Sequence, residues 1–141
     1  MNNLKAINQS LVQPRAQTML EISEQQQEID THIELIKIIK RFEYCCGWTL
    51  LIAPDHLPKK QVLKQHAVNL DKVLIVHKKQ CSDVLLTAYQ GLKNENCSAL
   101  VIWDGLINDS EYALLAAKAN TVNTSLYILN KNLDDHVVIH H

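Results

Sequence analysis

The chain has 141 residues, with 14 Lys and Arg against 15 Asp and Glu and a formal net charge of −1. That length fits one domain with enough chain to bury a core, and the near balance of charge supplies no overall field to draw the protein to nucleic acid. There is no stretch of 18 apolar residues to span a membrane, and Met1-Asn2-Asn3-Leu4-Lys5 lacks the apolar core of a signal peptide, which predicts a cytoplasmic protein.

Residues 1–29 read as a mobile polar arm. They hold runs such as Glu24-Gln25-Gln26-Gln27-Glu28, with no more than a helical tendency from Thr18 to Ile29. Thr31-His32-Ile33-Glu34 has the spacing of a capping box, and Leu35, Ile36, Ile39 and Phe42 recur at helical intervals. A helix is therefore expected from Thr31 to about Tyr44. Gly47 breaks it, and Trp48-Thr49-Leu50-Leu51-Ile52 follows as a strand stopped by Ala53-Pro54. A helical segment is expected from Pro58 to Ala67, with the proline in the first turn where its missing N–H is not needed.

Val73-Leu74-Ile75-Val76 is a second short strand. Cys81-Ser82-Asp83 opens a helix that carries Val84, Leu85, Ala88, Tyr89 and Leu92 on one side. Ala99-Leu100-Val101-Ile102-Trp103 is apolar without alternation, as a strand covered on both faces must be, and it closes in Asp104-Gly105. A helix from Asp109 to about Asn120 and a strand Ser125–Leu129 complete the pattern. Strands alternating with helices at this spacing predict an α/β fold with a mainly parallel sheet and helices on both faces. After a polar stretch, Val137-Val138-Ile139-His140-His141 either adds an edge strand or hangs free.

The turn after the first strand is where such a fold would hold phosphate groups. Ala53-Pro54-Asp55-His56-Leu57-Pro58-Lys59-Lys60 has the length of the pattern G-x-x-x-x-G-K-[ST], with Lys59 at the lysine position. Ala53 and Pro58 replace its glycines, and proline offers no N–H while holding φ away from the glycine range. Lys60 stands where a hydroxyl should reach magnesium. Asp104, after an apolar strand, has the outline of a Walker B carboxylate, but Asp-Gly after a strand is more often a plain turn. The loop is degenerate, and no nucleotide cofactor is expected.

The cysteines at 45, 46, 81 and 97 contain no Cys-x-x-Cys pair and read as small buried hydrophobes in a reducing compartment. The chain carries 7 histidines, but no Ser or Cys with a nucleophile signature accompanies them. His136 and His140 lie four apart, yet Val137-Val138-Ile139 between them favours extended chain over a metal-binding helix. Neither catalysis nor a metal site is expected.

The ordered residues carry more than the composition. Gly47-Trp48-Thr49-Leu50-Leu51-Ile52-Ala53-Pro54, Asn69-Leu70-Asp71-Lys72-Val73-Leu74, Ala99-Leu100-Val101-Ile102-Trp103 and Glu111 to Asn120 together resemble the SulA family of bacterial cell-division inhibitors. The resemblance covers about the last two thirds of the chain. It implies a RecA-like α/β domain over residues 30–130 without a working nucleotide site, followed by a tail over 131–141. It further implies a protein of the SOS response, made after DNA damage, that binds the tubulin-like GTPase FtsZ and blocks both its polymerisation and its GTPase activity. FtsZ completes its GTPase site between stacked subunits, so covering the face that carries the completing loop stops both.

Carried over residue by residue, the resemblance puts Lys72 at a lysine that matters for inhibition and Ile52 at an apolar position, usually leucine, that also matters. Val62 lies where a well-studied member has tryptophan and Gly47 where it has arginine, both departures from the pattern. Read without the resemblance, Ile52 also fits a core strand residue and Lys72 a solvated lysine. The family is removed by the protease Lon, which reads a C-terminal end finishing in histidine, here His140-His141. A second copy of the chain, as a homodimer, is a further partner to consider. The competing reading is a non-catalytic RecA-like accessory that binds DNA or a recombination or translesion partner, and the lack of a basic surface interleaved with aromatics counts against direct DNA binding.

Overall fold

The computed structural model describes residues 18–94, 96–129 and 139–140. Its first element is a helix, α1 (Met19–Arg41), and its start differs from the expectation. The capping box that operates is Thr18 with Glu21: the Thr18 hydroxyl accepts from the Glu21 N–H and the Glu21 carboxylate accepts from the Thr18 N–H, both at 3.1 Å. Thr31, read as a cap, lies inside the helix, where its hydroxyl donates to the Gln27 carbonyl at 2.8 Å. The Glu and Gln run between the two boxes is polar, but its members are good helix formers and no Gly or Pro interrupts them. The helix also ends earlier than Tyr44, at Phe42 as C-cap.

The remaining elements are β1 (Trp48–Ile52), α2 (Lys60–Gln65), β2 (Val73–Val76), a 3₁₀ turn (Lys78–Gln80), α3 (Val84–Lys93), β3 (Cys97–Trp103), α4 (Asp109–Val122), β4 (Ser125–Leu129) and β5 (Ile139–His140). Side-chain caps start α3 and α4: Asp83 accepts from the Leu86 N–H, and Asn108 forms a full capping box with Glu111. α2 is shorter than the expected span from Pro58 to Ala67, because Lys59 keeps an extended backbone (φ −67°, ψ 155°) and Pro58 stays outside the helix.

At the far end of α2, Ala67 occupies the left-handed region at φ 53°. The Val68 N–H closes back onto the Leu63 carbonyl at 3.0 Å, which makes Ala67 the position glycine normally takes after a helix. The left-handed conformation costs an L-residue about 1–2 kcal/mol, and glycine's extra freedom when unfolded returns part of that. Ala67→Gly is therefore expected to stabilise the domain by about 0.5–1 kcal/mol, read as a higher urea midpoint. An unchanged or lower midpoint would show that the turn is set by its surroundings.

The sheet order is β2-β1-β3-β4-β5. β1, β2, β3 and β4 run parallel, and β5 pairs antiparallel with β4 through Leu126↔His140 and Tyr127↔Ile139. The sheet is thus mainly parallel, and the chain end is taken up as an edge strand rather than left hanging at Ile139–His140. Both faces are covered. Leu50, Ile52, Leu100, Ile102 and Leu126 pack beneath Ala88 and Leu92 of α3 and Leu115, Ala116 and Ala119 of α4. Leu51, Ala99, Val101, Trp103, Tyr127 and Leu129 pack on the opposite face beneath Leu35, Ile38 and Ile39 of α1. Successive β3 residues belong to opposite clusters, which is why that strand is apolar throughout. Gly91 lets α3 approach the sheet, since a Cβ there would collide with the Leu50 side chain. Among the described residues, no helix is long and apolar enough to cross a membrane.

Candidate functional site

Two places in the fold could carry function, one at each end of the strands. The chain leaves β1 outward to β2 and leaves β3 in the opposite direction to β4. In open α/β sheets, the crevice at the carboxyl ends of two such strands is where ligands sit. Here it is a cleft of about 340 Å³ between Glu24, Gln27, Glu28, Thr31 and His32 of α1, the loop residues Asp55 and His56, and Trp103. Three of these side chains are carboxylates, the wrong charge for a phosphate ligand. His32 Nε2 is buried there without a hydrogen-bond partner.

The backbone agrees with the lining. Ala53, at the place of the first phosphate-loop glycine, has the left-handed φ of 49° that a glycine would adopt, but its N–H donates to the Val76 carbonyl at 2.7 Å. That donor is spent within the sheet. Asp104 is exposed in a turn whose next residue, Gly105, has φ 88°. The Leu106 N–H reaches the Trp103 carbonyl at 3.4 Å, as in a type II turn with glycine at its third position. Asp104 is thus a turn residue. Among the described residues, no group of three or more His, Cys, Asp and Glu is placed to hold a metal ion.

The second place is the amino-terminal end of β1 and β2, around Lys72. Its ammonium donates to the Cys45 carbonyl at 2.9 Å and the Cys46 carbonyl at 3.4 Å, while its own carbonyl accepts from the Thr49 N–H at 2.8 Å. Lys72 therefore pins the turn between α1 and β1 onto the entry to β2. That turn presents Tyr44, 94% exposed, and the same corner of the sheet leaves Trp48, Leu70 and Leu74 exposed. Exposed Tyr and Trp beside a held cation are the residue types that dominate protein interfaces. β2 is also the outer strand of the sheet on this side, so one row of its backbone groups is unpaired by the sheet.

The residues singled out from the sequence separate here. Lys72 is exposed at this corner and Val62 is half-buried on α2. Ile52 is fully buried, in register between Val76 and Ile102, so any contribution it makes to a partner runs through the strand it supports. Gly47 donates its N–H to Ser98 Oγ at 3.1 Å, and a Cβ there would meet the Asn96 carbonyl oxygen and Ser98 Oγ at 2.5 Å each. A larger residue at 47 does not fit this backbone. His140 lies in β5, and His141 is outside the described residues.

Tyr44, Trp48, Leu70 and Leu74 were not singled out from the sequence. Trp48 and Leu74 lie inside β1 and β2 and read in sequence as strand packing, so no local signal marks them as exposed. Of the four cysteines, expected as small buried hydrophobes, only Cys97 is buried; Cys45 and Cys81 are half-buried and Cys46 is exposed. Burial pushes the Cys97 thiol up to about 11, with backbone contacts to Ala99 and Leu50 acting the other way, so it stays protonated and inert at neutral pH.

No protein-family model and no curated protein matches the chain. Among solved structures it is similar to SulA from Pseudomonas aeruginosa, with 20% sequence identity over 70% of this chain and 85% of that one and a TM-score of 0.56. The α/β fold of this chain is the fold of that structure.

Proposed function

We propose that this chain is an inhibitor of cell division that acts without chemistry, by binding FtsZ and keeping it from assembling. The observation that carries the reading is the SulA-like fold together with an exposed aromatic corner built around Lys72, at the position the family resemblance marks for inhibition. The acidic lining of the cleft supports a non-enzymatic role, because it is unsuited to the phosphates a RecA-like ATPase would hold. The corner is suited to a macromolecule. It is open, apolar in part, and bounded by a sheet edge.

FtsZ forms its GTPase site between stacked subunits. A protein seated on one stacking face removes a subunit from the pool and its catalytic contribution from the neighbour at the same time. Inhibition should therefore follow the ratio of the two proteins, and GTP hydrolysis by a fixed amount of FtsZ should fall in proportion to added inhibitor until equivalence. An interface of about 1,200–2,000 Å² in total is expected for such a complex. Hydrolysis unaffected at equivalence would reject the proposal and return weight to an accessory role with a recombination or translesion partner.

A stoichiometric inhibitor made in the SOS response must be removed before division resumes, and we assign that step to Lon, acting in the cytoplasm on the end that carries His140 and His141. Pairing of Ile139–His140 with β4 means that the signal becomes available when this short edge strand frays. Deleting Val137 to His141 should lengthen the half-life in cells containing Lon and leave division blocked. Unchanged or faster decay would show that the degradation signal lies elsewhere.

A further inference from the structure

The turn between α1 and β1 carries two adjacent thiols. Cys46 is exposed and Cys45 half-buried, and both border a cavity of about 360 Å³ with Phe42, Asn96, Ser98 and Asn123. The backbone around them is held on three sides. The Cys45 N–H donates to the Phe42 carbonyl at 3.1 Å, the Gly47 N–H donates to Ser98 Oγ at 3.1 Å, and the Lys72 ammonium holds the Cys45 and Cys46 carbonyls. Cys97 borders the same cavity, but it is buried and its thiol donates to the Ala99 carbonyl at 3.2 Å. It does not compete with the exposed pair.

We infer that Cys45 and Cys46 form a modification site, at which a small disulfide such as glutathione disulfide closes the two thiols into a Cys45–Cys46 bond. The Cys46 thiolate attacks one sulfur of the incoming disulfide, expels one glutathione as its thiolate and leaves a mixed disulfide. The Cys45 thiolate then attacks the Cys46 sulfur and expels the second glutathione. The chain has given up two electrons and two protons, and glutathione disulfide has become two molecules of the thiol. Exposure selects Cys46 for the first step. Adjacency drives the second, because the resolving thiol is one peptide away and competes as an intramolecular group.

The consequence for the Lys72 corner rests on its reading as the FtsZ-binding surface. Adjacent Cα atoms lie about 3.8 Å apart across a trans peptide, whereas an ordinary disulfide joins Cα atoms about 4.4–6.8 Å apart. Closing the ring therefore forces the dipeptide out of its present backbone conformation. That carries the two carbonyls off Lys72 and frees the turn presenting Tyr44. Strain also makes such a bond easy to reduce, so the site is a reversible switch: an inhibitory dithiol in a reduced glutathione pool, a weakened inhibitor in an oxidised one.

Treating the native full chain with glutathione disulfide and mapping it by mass spectrometry tests the site. Trypsin releases residues 42–59, which hold Cys45 and Cys46 and no other cysteine. That peptide should be lighter by two hydrogens, with its mass restored by dithiothreitol, whereas Cys45→Ser should retain a glutathionyl group on Cys46. A glutathionyl group that persists on the native chain, a pair that does not react, or a bond to Cys81 or Cys97 would overturn the inference. On FtsZ, the oxidised native chain should be needed at about tenfold higher concentration for the same loss of GTP hydrolysis. The curve for the double variant Cys45→Ser, Cys46→Ser should not move with oxidant. Ring closure with an unmoved native curve would overturn the switch. A reduced chain that fails to inhibit FtsZ would instead count against the proposed function, since ring closure is read by mass without FtsZ.

Discussion

Replacing Leu100 by alanine is expected to cost about 3–4 kcal/mol of folding stability, from lost burial plus a cavity that the sheet cannot close. Leu100 is fully buried at the centre of β3, paired in register with Leu50 on one side and Leu126 on the other, under the α3 and α4 helices. Strands on both flanks and helices above leave its neighbours little room to relax. For a domain whose total stability is on the order of 5–15 kcal/mol, such a loss is a large share, and it is read directly as a lower urea midpoint. Leu114→Ala, at a residue of α4 that is 52% exposed, is the control and should cost under about 1 kcal/mol. Equal costs at the two positions would contradict the assignment of β3 as the middle of the core.

The second large effect is functional. Lys72→Ala removes the ammonium that holds the Cys45 and Cys46 carbonyls and so frees the turn presenting Tyr44. Lys72 is exposed, and its bonds compete with water, so stability should change by no more than about 1 kcal/mol. Affinity for FtsZ should fall by about 10- to 100-fold, since losing an interface anchor and its preorganisation typically costs 1.4–2.8 kcal/mol. Lys72→Glu should be worse, because it sets a carboxylate against two carbonyl oxygens. An inhibition curve for Lys72→Ala that overlays the native one, with the melt unchanged, would remove this corner from the interface.

The strands were legible because burial on both faces leaves a mark that needs no partner to read: β1, β2 and β4 have the bounds that their apolar runs predict. The caps at Asp83 and Asn108 follow from local chemistry in the same way, although the Asn108 box was not singled out beforehand. α1 was harder. Its first turns carry few buried residues, so periodicity toward a core is weak there. The capping box at Thr18 was passed over for the one at Thr31, next to which the core-facing residues begin. Ends of elements moved for backbone reasons, as at Pro58, where an extended Lys59 delays the helix.

The functional surfaces depend on pairing that the order of residues does not state. Lys72 reaches the Cys45 carbonyl across 27 positions of sequence, and that reach exists only once β1 and β2 lie side by side. The cleft likewise joins Glu24, Asp55 and Trp103 from three distant segments. Ile52 shows the converse. A residue marked by family resemblance turns out to be wholly enclosed in the strand it helps to hold in place.

The most direct measurement of the central claim is the amount of FtsZ polymer pelleted with GTP as this protein is added in steps below and above equivalence. Sequestration predicts that each added chain withdraws one subunit, so the critical concentration rises by the amount of inhibitor present and polymer vanishes when no free subunits remain above it. Assembly that persists at twofold excess of inhibitor, or that a trace of it abolishes against a large excess of FtsZ, would contradict the account.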